Sequence, residues 1–158
     1  MRALLQRVRR AAVRVPTLPE NVSEATDEVV GEIGPGMVVL LGVGLEDTPD
    51  AARVLAGRVA HLRIFADDRG RLNRSILESG GQILSVSQFT LYADTGGGRR
   101  PSFVRAAPPE EAEPLYREFN RALEALGVRV VAGRFRAHMI VEIHNDGPVT
   151  ILLESAGS

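Results

Sequence analysis

The sequence SVSQFTLYAD, residues 85–94, predicts a strand that runs out of an apolar interior into a group of polar side chains. β-Branched and aromatic residues recur in and just before the stretch, and glycine-containing breakers flank it on both sides. The side chains of Ser87, Gln88 and Thr90 are costly to bury unless something pairs with them. We therefore expect chemistry here, and the alternative is that these side chains satisfy neighbouring backbone groups.

Short apolar runs separated by turns surround this stretch. Residues 4–15 predict one long strand, or two joined near Arg9 and Arg10, and residues 29–33 and 37–43 follow as strands joined by a tight glycine-proline turn. Residues 128–131, 137–143 and 151–153 complete the set. Such short strands favour an antiparallel or mixed sheet that curls towards a closed barrel.

The polar, proline-interrupted segment 16–27 predicts an exposed and mobile hairpin tip that carries no chemistry.

Two main helices are expected to flank the sheet. The first begins at Thr48-Pro49-Asp50, an N-cap followed by proline at the first helical position. The second runs from Pro108 to Gly127 and has an acidic first turn, as the helix dipole favours. Their predicted apolar faces are Val54, Leu55, Val59 and Leu62 in the first helix, and Ala112, Leu115, Tyr116, Phe119, Leu123 and Leu126 in the second. The fold class is therefore α+β and β-rich, in one domain over residues 1–158.

Composition excludes several classes of site. The chain of 158 residues is 44% apolar, carries a formal charge of -1 and has no cysteine, which excludes thiol nucleophiles, disulfides and cysteine-based zinc sites. His138 and His144 have no evident third ligand, so we expect neither a metal nor a cofactor. No run approaches the roughly 18 apolar residues of a membrane helix, and the first residues do not resemble a signal peptide. We therefore expect a soluble, unprocessed, cytoplasmic protein.

A glycine- and arginine-rich loop, residues 96–105, follows the polar stretch. All 19 basic residues of the chain are arginine, whose planar fork suits phosphate, although a codon or thermal bias of the host also explains this composition. Arg99, Arg100 and Arg105 predict contact with a phosphate-bearing substrate. The alternative is a solvated loop.

Two motifs together resemble a known family. Ser87-Gln88-Phe89-Thr90-Leu91 and Asn145-Asp146-Gly147-Pro148-Val149-Thr150 are similar to the paired signature of the D-aminoacyl-tRNA deacylases, the chirality-editing enzymes of translation. The likeness extends over nearly the whole chain and includes residues 6–8, 31–34, 100–103 and 133–135. By itself, the segment 145–150 would indicate an ordinary hairpin turn before a final strand.

The resemblance implies a homodimer that hydrolyses the ester joining a D-amino acid, or glycine, to the 3'-terminal adenosine of tRNA. It implies that the Gly147–Pro148 peptide is cis and reaches into the partner's active site. The two flanking carbonyl oxygens would meet the substrate's α-amino group and α-hydrogen, and an L side chain would collide with this backbone. Arg7 matches the arginine that supports this Gly-cisPro motif in the family.

The resemblance leaves the hydrolytic group open. Thr90 is similar to a threonine considered as a nucleophile, but a hydroxyl needs a base, and none is near in sequence. Backbone amides around Gln88 and Phe89 are expected to form an oxyanion hole, with help from the adjacent ribose hydroxyl of the substrate. Ser87 and Gln88 are assigned to positioning.

Two departures from the family pattern stand out. The tip 16–27 looks longer than usual, which would alter tRNA contacts, and Tyr92 stands where a small residue is common, which would narrow the pocket rim. Two alternatives remain open: a tRNA- or DNA-binding module of the same fold without hydrolysis, and a related editor with a trans Gly-Pro that removes L-alanine. In each case affinity from localised arginines is expected to fall steeply with salt.

Overall fold

The computed structural model describes residues 1–17 and 26–155. Within them the strands are β1 (Arg2–Thr17), β2 (Thr26–Ile33), β3 (Gly36–Gly42), β4 (Phe65–Ala66), β5 (Leu72–Arg74), β6 (Gln82–Ser87), β7 (Arg129–Ala132) and β8 (Ile140–Glu154). The helices are α1 (Pro49–His61), the single-turn α2 (Ile76–Ser79) and α3 (Pro109–Ala125), and a 3₁₀ turn spans Phe89–Tyr92. Segment 18–25, the centre of the predicted tip, lies outside the described residues. None of the described helices is both long and apolar enough to cross a membrane.

Strand β1 lies at the centre of the main sheet and is one continuous strand. Along one edge its first half pairs with β3 and its second half with β2, both antiparallel, while β8 pairs antiparallel along the other edge. Beyond β3 the sheet continues through β6 and β7, which are parallel to it. The sheet is therefore mixed, as predicted.

The two ends of this sheet approach each other, so the barrel is nearly closed. Gly31 of β2 lies against β7, where a Cβ atom on Gly31 would stand 2.6 Å from Val131 Cγ1. Only glycine lets β2 come this close to β7 without moving the valine. The expectation of a barrel-like sheet flanked by helices is confirmed, with the short α2 in addition.

Both faces of β3 are buried, which explains its nearly continuous apolar sequence. Met37, Val39 and Leu41 face α1 and α3, whereas Val38 belongs to a second apolar cluster on the opposite face. The side chain of Thr48 caps α1 by accepting from the amide of Ala51, as predicted. Of the predicted helix faces, Val54 and Leu126 are wrong, since they are 59% and 42% exposed.

The strand predicted over residues 85–94 ends early. The amide of Gln88 donates to the carbonyl of Leu41 at 2.8 Å, the last backbone hydrogen bond to β3 among the described residues. The chain then turns, because the amide of Leu91 donates to the carbonyl of Gln88 and the amide of Ala93 to that of Thr90. The predicted strand is thus wrong beyond Ser87, and Thr90 lies in a 3₁₀ turn.

The predicted hairpin at residues 145–150 is also wrong. Val8 of β1 faces Asn145 and Gln6 faces Thr150, so residues 146–149 leave the ladder and the chain returns to the same neighbouring strand. The motif is a large, irregular bulge inside β8, in which four residues lie opposite Arg7 alone. A hairpin would instead have brought residues 151–153 alongside residues 140–144.

Candidate active site

A cavity of about 580 Å³ opens beside the end of β6, between the loop that carries Phe103, the start of α3 and residues 135–139. Its wall is mostly apolar, with Val43, Val86, Phe89, Phe103, Ala106, Ala107, Pro109, Ala112, Phe135, Ala137, Met139 and Val141. Its polar members are Ser87, Gln88, Arg136 and His138. Concave, apolar cavities with few polar groups are typical ligand sites.

Aromatic rings shape this cavity. Phe89 and Phe103 meet edge to face, with ring centroids 5.0 Å apart, and Phe89 remains 56% exposed. The ring of Phe135 packs against that of Tyr116 in α3, with ring centroids 6.0 Å apart. Such rings offer faces and edges against which a planar ligand can pack.

The end of β6 is held in place by hydrogen bonds to α3 and to the segment after β7. The carbonyl of Ser85 accepts from the hydroxyl of Tyr116 at 2.8 Å and from the amide of Gly133 at 2.9 Å. Ser87, two residues further on, is half-buried and lines the cavity. The predicted polar stretch therefore does reach a cavity, on a well-anchored strand.

The Thr90 side chain lies beside that of Gln88. The Gln88 side-chain amide donates to the Thr90 hydroxyl oxygen at 2.5 Å, and Thr90 is exposed and does not line the cavity. Among the described residues, no histidine or carboxylate is hydrogen-bonded to Thr90. The arrangement orients the hydroxyl without activating it.

The backbone amides at this turn differ in availability. The Gln88 amide is committed to Leu41, so it is removed from the expected oxyanion hole. The amides of Phe89 and Thr90 open the 3₁₀ turn and have no hydrogen-bond partner in the described part of the chain. Amides in the first turn of a helix have no intrahelical acceptor, which leaves these two free for a ligand.

Arg7 supports the Gly147–Pro148 turn from beside it. Its side chain is 14% exposed, and it donates from Nε to the Asp146 carbonyl at 3.2 Å and from Nη1 to the Ile64 carbonyl at 2.7 Å. The Gly147–Pro148 peptide bond is cis, and Gly147 has a φ of 125°. A Cβ on Gly147 would stand 3.1 Å from Arg7 Nη2, so both its φ and this close contact favour glycine.

Within one chain the 3₁₀ turn at residues 89–92 and the Gly147–Pro148 turn lie apart. Arg2 donates to the carbonyl of Leu91 in the 3₁₀ turn at 2.8 Å, whereas Arg7, further along the same strand, holds Asp146. Five residues of extended strand span roughly 16 Å. Accordingly neither Gly147 nor Pro148 lines the cavity, and the structure does not bring them together with residues 87–90.

Tyr92 does not narrow the pocket rim. It is 5% exposed, its hydroxyl donates to Asp47 Oδ2 at 3.3 Å, and the Arg2 guanidinium lies 4.7 Å above its ring. Burial first, and then the charge of Asp47, raises the pKa of Tyr92 well above its ordinary value, so it stays a donor. Its ring occupies the space left by Gly44 and anchors the 3₁₀ turn.

The three predicted tRNA-binding arginines lie close in sequence to Phe103 and Ala106, which line the cavity, but do not line it themselves. Arg99, Arg100 and Arg105 are exposed, and in the described ranges none of their side chains has a hydrogen bond or ion pair. Paired backbone hydrogen bonds between Asp94 and Ser102 close the base of the loop. The guanidinium groups are therefore free to meet an anionic ligand.

Sequence reasoning missed several members of the site. Phe103 and Phe135 were noticed only as parts of the family likeness, His138 was considered only as a metal ligand, and Arg136 was not considered. No periodicity signals them, because they come from irregular segments that the fold brings to the cavity.

Comparison with known proteins gives a consistent result. A family model described as D-Tyr-tRNA(Tyr) deacylase matches residues 4–154. A D-aminoacyl-tRNA deacylase of Desulforudis audaxviator is 58% identical over 155 residues, covering 98% of this chain and 97% of the relative. That of Deinococcus deserti is 54% identical over 154 residues, covering 98% and 99%.

Two solved structures share the fold. One, named c-Myc DNA Unwinding Element Binding Protein, superimposes with a TM-score of 0.86 at 40% identity, covering 98% of this chain and 99% of that one. The other, described as a probable eukaryotic D-amino acid tRNA deacylase, gives a TM-score of 0.73 at 20% identity, covering 96% and 97%. At that identity the second likeness concerns the fold alone.

Proposed function

Because this chain belongs to the D-aminoacyl-tRNA deacylase family, and is thus a hydrolase that acts on aminoacyl-tRNA, we propose that it cleaves D-aminoacyl-tRNA and glycyl-tRNA and spares L-aminoacyl-tRNA. The observation that carries the proposal is the pair of free backbone amides, at Phe89 and Thr90, beside an apolar cavity. Free amides are the donors that an ester's developing oxyanion requires. The biological role is proofreading of chirality in translation, in the cytoplasm where charged tRNA is used.

The cavity receives the 3'-terminal adenosine of tRNA. Its apolar wall and its aromatic rings, Phe89, Phe103 and Phe135, suit a flat base, while Ser87 and Gln88 supply polar groups at the end nearest the turn. With the base in the cavity, the ribose and its ester lie against the amides of the 3₁₀ turn.

Hydrolysis then proceeds by direct attack of water on the ester carbonyl. The carbonyl oxygen becomes an oxyanion that accepts from the amides of Phe89 and Thr90, and the neighbouring ribose hydroxyl orients the water. Collapse breaks the bond between the carbonyl carbon and the ribose 3'-oxygen, which takes the proton that the attacking water gives up. The products are tRNA and the free amino acid. Thr90 and Gln88 position these groups and form no covalent intermediate.

Chiral selection comes from the Gly147–Pro148 turn of a partner subunit. Neither residue of this turn lines the cavity of its own chain, which favours a site completed by two chains. Strand β8 pairs with β1 alone among the described strands, so its other edge is open, and Leu152 and Ile140 on it are 50% and 43% exposed. A long strand edge with exposed apolar side chains is a natural dimer interface.

Complementation tests the shared site. One variant carries Gly147→Ala with Pro148→Ala and the other carries Phe89→Pro, so each is defective in one half of the site. In mixed dimers, one of the two sites combines both intact halves, and an equal mixture is expected to regain about a quarter of the native rate. No recovery after confirmed subunit exchange would show that each chain uses its own turn.

Two alternatives are weaker. An L-alanine editor lacks a specific structural feature in its favour, and the Arg7 support of the Gly147–Pro148 turn favours the D-selective form. A nucleic-acid-binding module without hydrolysis is suggested by the name of one structural relative, but the free amides of residues 89–90 would then have no use.

The proposed function is tested by incubating the purified protein with D-tyrosyl-, L-tyrosyl- and glycyl-tRNA. Rapid loss of the D and glycyl esters with the L ester intact is expected. Equal loss of the D and L esters would refute the proposed selectivity.

A further inference from the structure

Two ionisable side chains, Arg136 and His138, are present in the otherwise uncharged lining of the cavity. Both are exposed, which places them at its mouth and not at its floor. In the described part of the chain no carboxylate lines the cavity, and neither side chain has a hydrogen bond or an ion pair. A neighbouring arginine behaves differently, since Arg134 is paired with Glu28 at 3.1 Å.

The backbone conformation of Arg136 is of the strained kind that occurs at ligand sites. Its φ is 63°, the one positive value among the described non-glycine residues. Glycine adopts this conformation without the clash that any other side chain brings, and strained backbone of this kind clusters at ligand sites. A residue that would be easier to place as glycine instead carries an unpaired guanidinium beside an apolar cavity.

We propose that Arg136, together with His138, binds the phosphate that joins the terminal adenosine to the rest of the tRNA. This inference rests on the proposed function, because it takes the cavity to hold that adenosine. The 5'-phosphate is the anionic group covalently nearest to a nucleoside in the cavity, and the nucleic acid strand leaves through the mouth. A planar guanidinium forms paired hydrogen bonds with phosphate oxygens, and an imidazole N–H adds a further donor.

This site differs in role from Arg99, Arg100 and Arg105. Those arginines lie on an exposed loop and suit the more distant backbone of the tRNA, whereas Arg136 and His138 belong to the cavity wall itself. With adenosine in the cavity, the 5'-phosphate of an adenosine 5'-phosphate ester already lies at the mouth, so no longer piece of tRNA is needed to reach Arg136. Arg136 should therefore distinguish a nucleoside ester from a nucleotide ester.

The test compares two small substrates: the D-tyrosine ester at the 3'-oxygen of adenosine, and the same ester of adenosine 5'-phosphate. The measured quantity is the ratio of kcat/KM for the phosphate-bearing ester to that for the phosphate-free ester. Arg136→Gly is the main variant, because glycine suits the local backbone and folding is retained; a melting temperature verifies this. Arg136→Lys keeps the charge without the fork, and Arg134→Ala removes a neighbouring arginine that points elsewhere.

The native protein is expected to prefer the phosphate-bearing ester by at least tenfold. Arg136→Gly should lower that ratio about tenfold, mainly through KM, His138→Ala by about threefold, and Arg136→Lys by less than Arg136→Gly. Arg134→Ala should leave the ratio as it is.

Two outcomes separate the two proposals. If the native protein hydrolyses D-tyrosyl-tRNA and both esters but shows no preference for phosphate, or if Arg136→Gly leaves the ratio unchanged, the phosphate site is refuted and the proposed function stands. If D-tyrosyl-tRNA and both esters survive at their spontaneous rates, the proposed function itself fails.

Discussion

The Arg7 guanidinium donates to the backbone carbonyl of Asp146 at 3.2 Å, and so fixes the peptide that leads into Gly147. The same side chain donates to the carbonyl of Ile64 at 2.7 Å, so it connects the bulge of β8 to the segment after α1. Arg7 is mostly buried and lies on the central strand. A turn held in this way presents its backbone in one orientation, which a stereoselective contact needs.

Replacement of Arg7 should lower the rate of deacylation and the stability of the fold together. Arg7→Lys keeps the charge but loses the second hydrogen bond, and we expect deacylation of D-tyrosyl-tRNA to fall roughly tenfold to a hundredfold. Loss of hydrogen bonds from a mostly buried charged group should also cost about 1.5–3 kcal/mol in the free energy of unfolding. Single-turnover deacylation and urea denaturation measure the two effects.

Arg9 is the matched control for Arg7. It contacts the carboxylate of the same residue, Asp146, and its side chain is 84% exposed. Arg7 also lies 3.4 Å from that carboxylate, but it is mostly buried and holds the Asp146 carbonyl as well. Exposed ion pairs contribute little, so Arg9→Ala should deacylate D-tyrosyl-tRNA within about twofold of the native rate. An Arg9→Ala defect equal to that of Arg7→Lys would show that charge near Asp146, and not the hold on its backbone, is what counts.

Thr90→Ala should retain substantial activity. Its hydroxyl is exposed, accepts from Gln88 and has no basic hydrogen-bond partner among the described residues, so we expect that it does not serve as a nucleophile. We expect the single-turnover rate to stay within about tenfold of native. A loss of several orders of magnitude, with folding and tRNA binding intact, would establish Thr90 as catalytic.

The free amide of Phe89 can be tested by proline. Phe89→Pro removes the N–H at the first position of the 3₁₀ turn, where proline fits, whereas Phe89→Ala removes the ring and keeps the N–H. Relative to Phe89→Ala, Phe89→Pro should lower kcat by roughly a hundredfold to a thousandfold, as loss of an oxyanion donor does. Equal kcat values in the two variants would exclude this amide from the oxyanion hole.

The exposed arginines of the loop 96–105 should determine how steeply kcat/KM falls with salt concentration. With Arg99, Arg100 and Arg105 changed to Gln, the slope of log kcat/KM against log salt concentration should fall by about 2 to 3. The control is Arg117→Gln with Arg121→Gln, on the outer face of α3, where both arginines are paired with glutamates. A similar fall in the control would mean that overall charge, and not this loop, attracts the tRNA.

The fold was largely predictable because its signals are local. The N-cap at Thr48, the apolar faces near Leu55 and Phe119 and the long strand β1 each follow from residue pattern. The chain after Ser87 was not predictable, since its apolar residues fit a strand equally well. The chain turns after Ser87 because its neighbour β3 ends beside it, at Gly42. The point at which β3 ends relative to β6 is known only once the sheet is assembled.

Some residues of the candidate site could be named from the sequence, but its geometry could not be predicted. Both motifs could be recognised from sequence, yet the bulge at residues 145–150 looks like a hairpin until the strand beside it is known. The commitment of the Gln88 amide to Leu41 and the burial of Tyr92 against Asp47 depend on contacts between distant segments. Arg136 escaped notice because a positive φ has no signature in an arginine.

Chiral discrimination is the central claim. The most direct measurement is deacylation of D-tyrosyl-, L-tyrosyl- and glycyl-tRNA by the native protein and by a variant with Gly147→Ala and Pro148→Ala, at equal enzyme concentration. The native protein should remove the D and glycyl esters and spare the L ester, and the variant should lose this activity by at least a hundredfold while remaining folded. If the variant deacylates D-tyrosyl-tRNA at the native rate and still spares the L ester, selection does not reside in this turn.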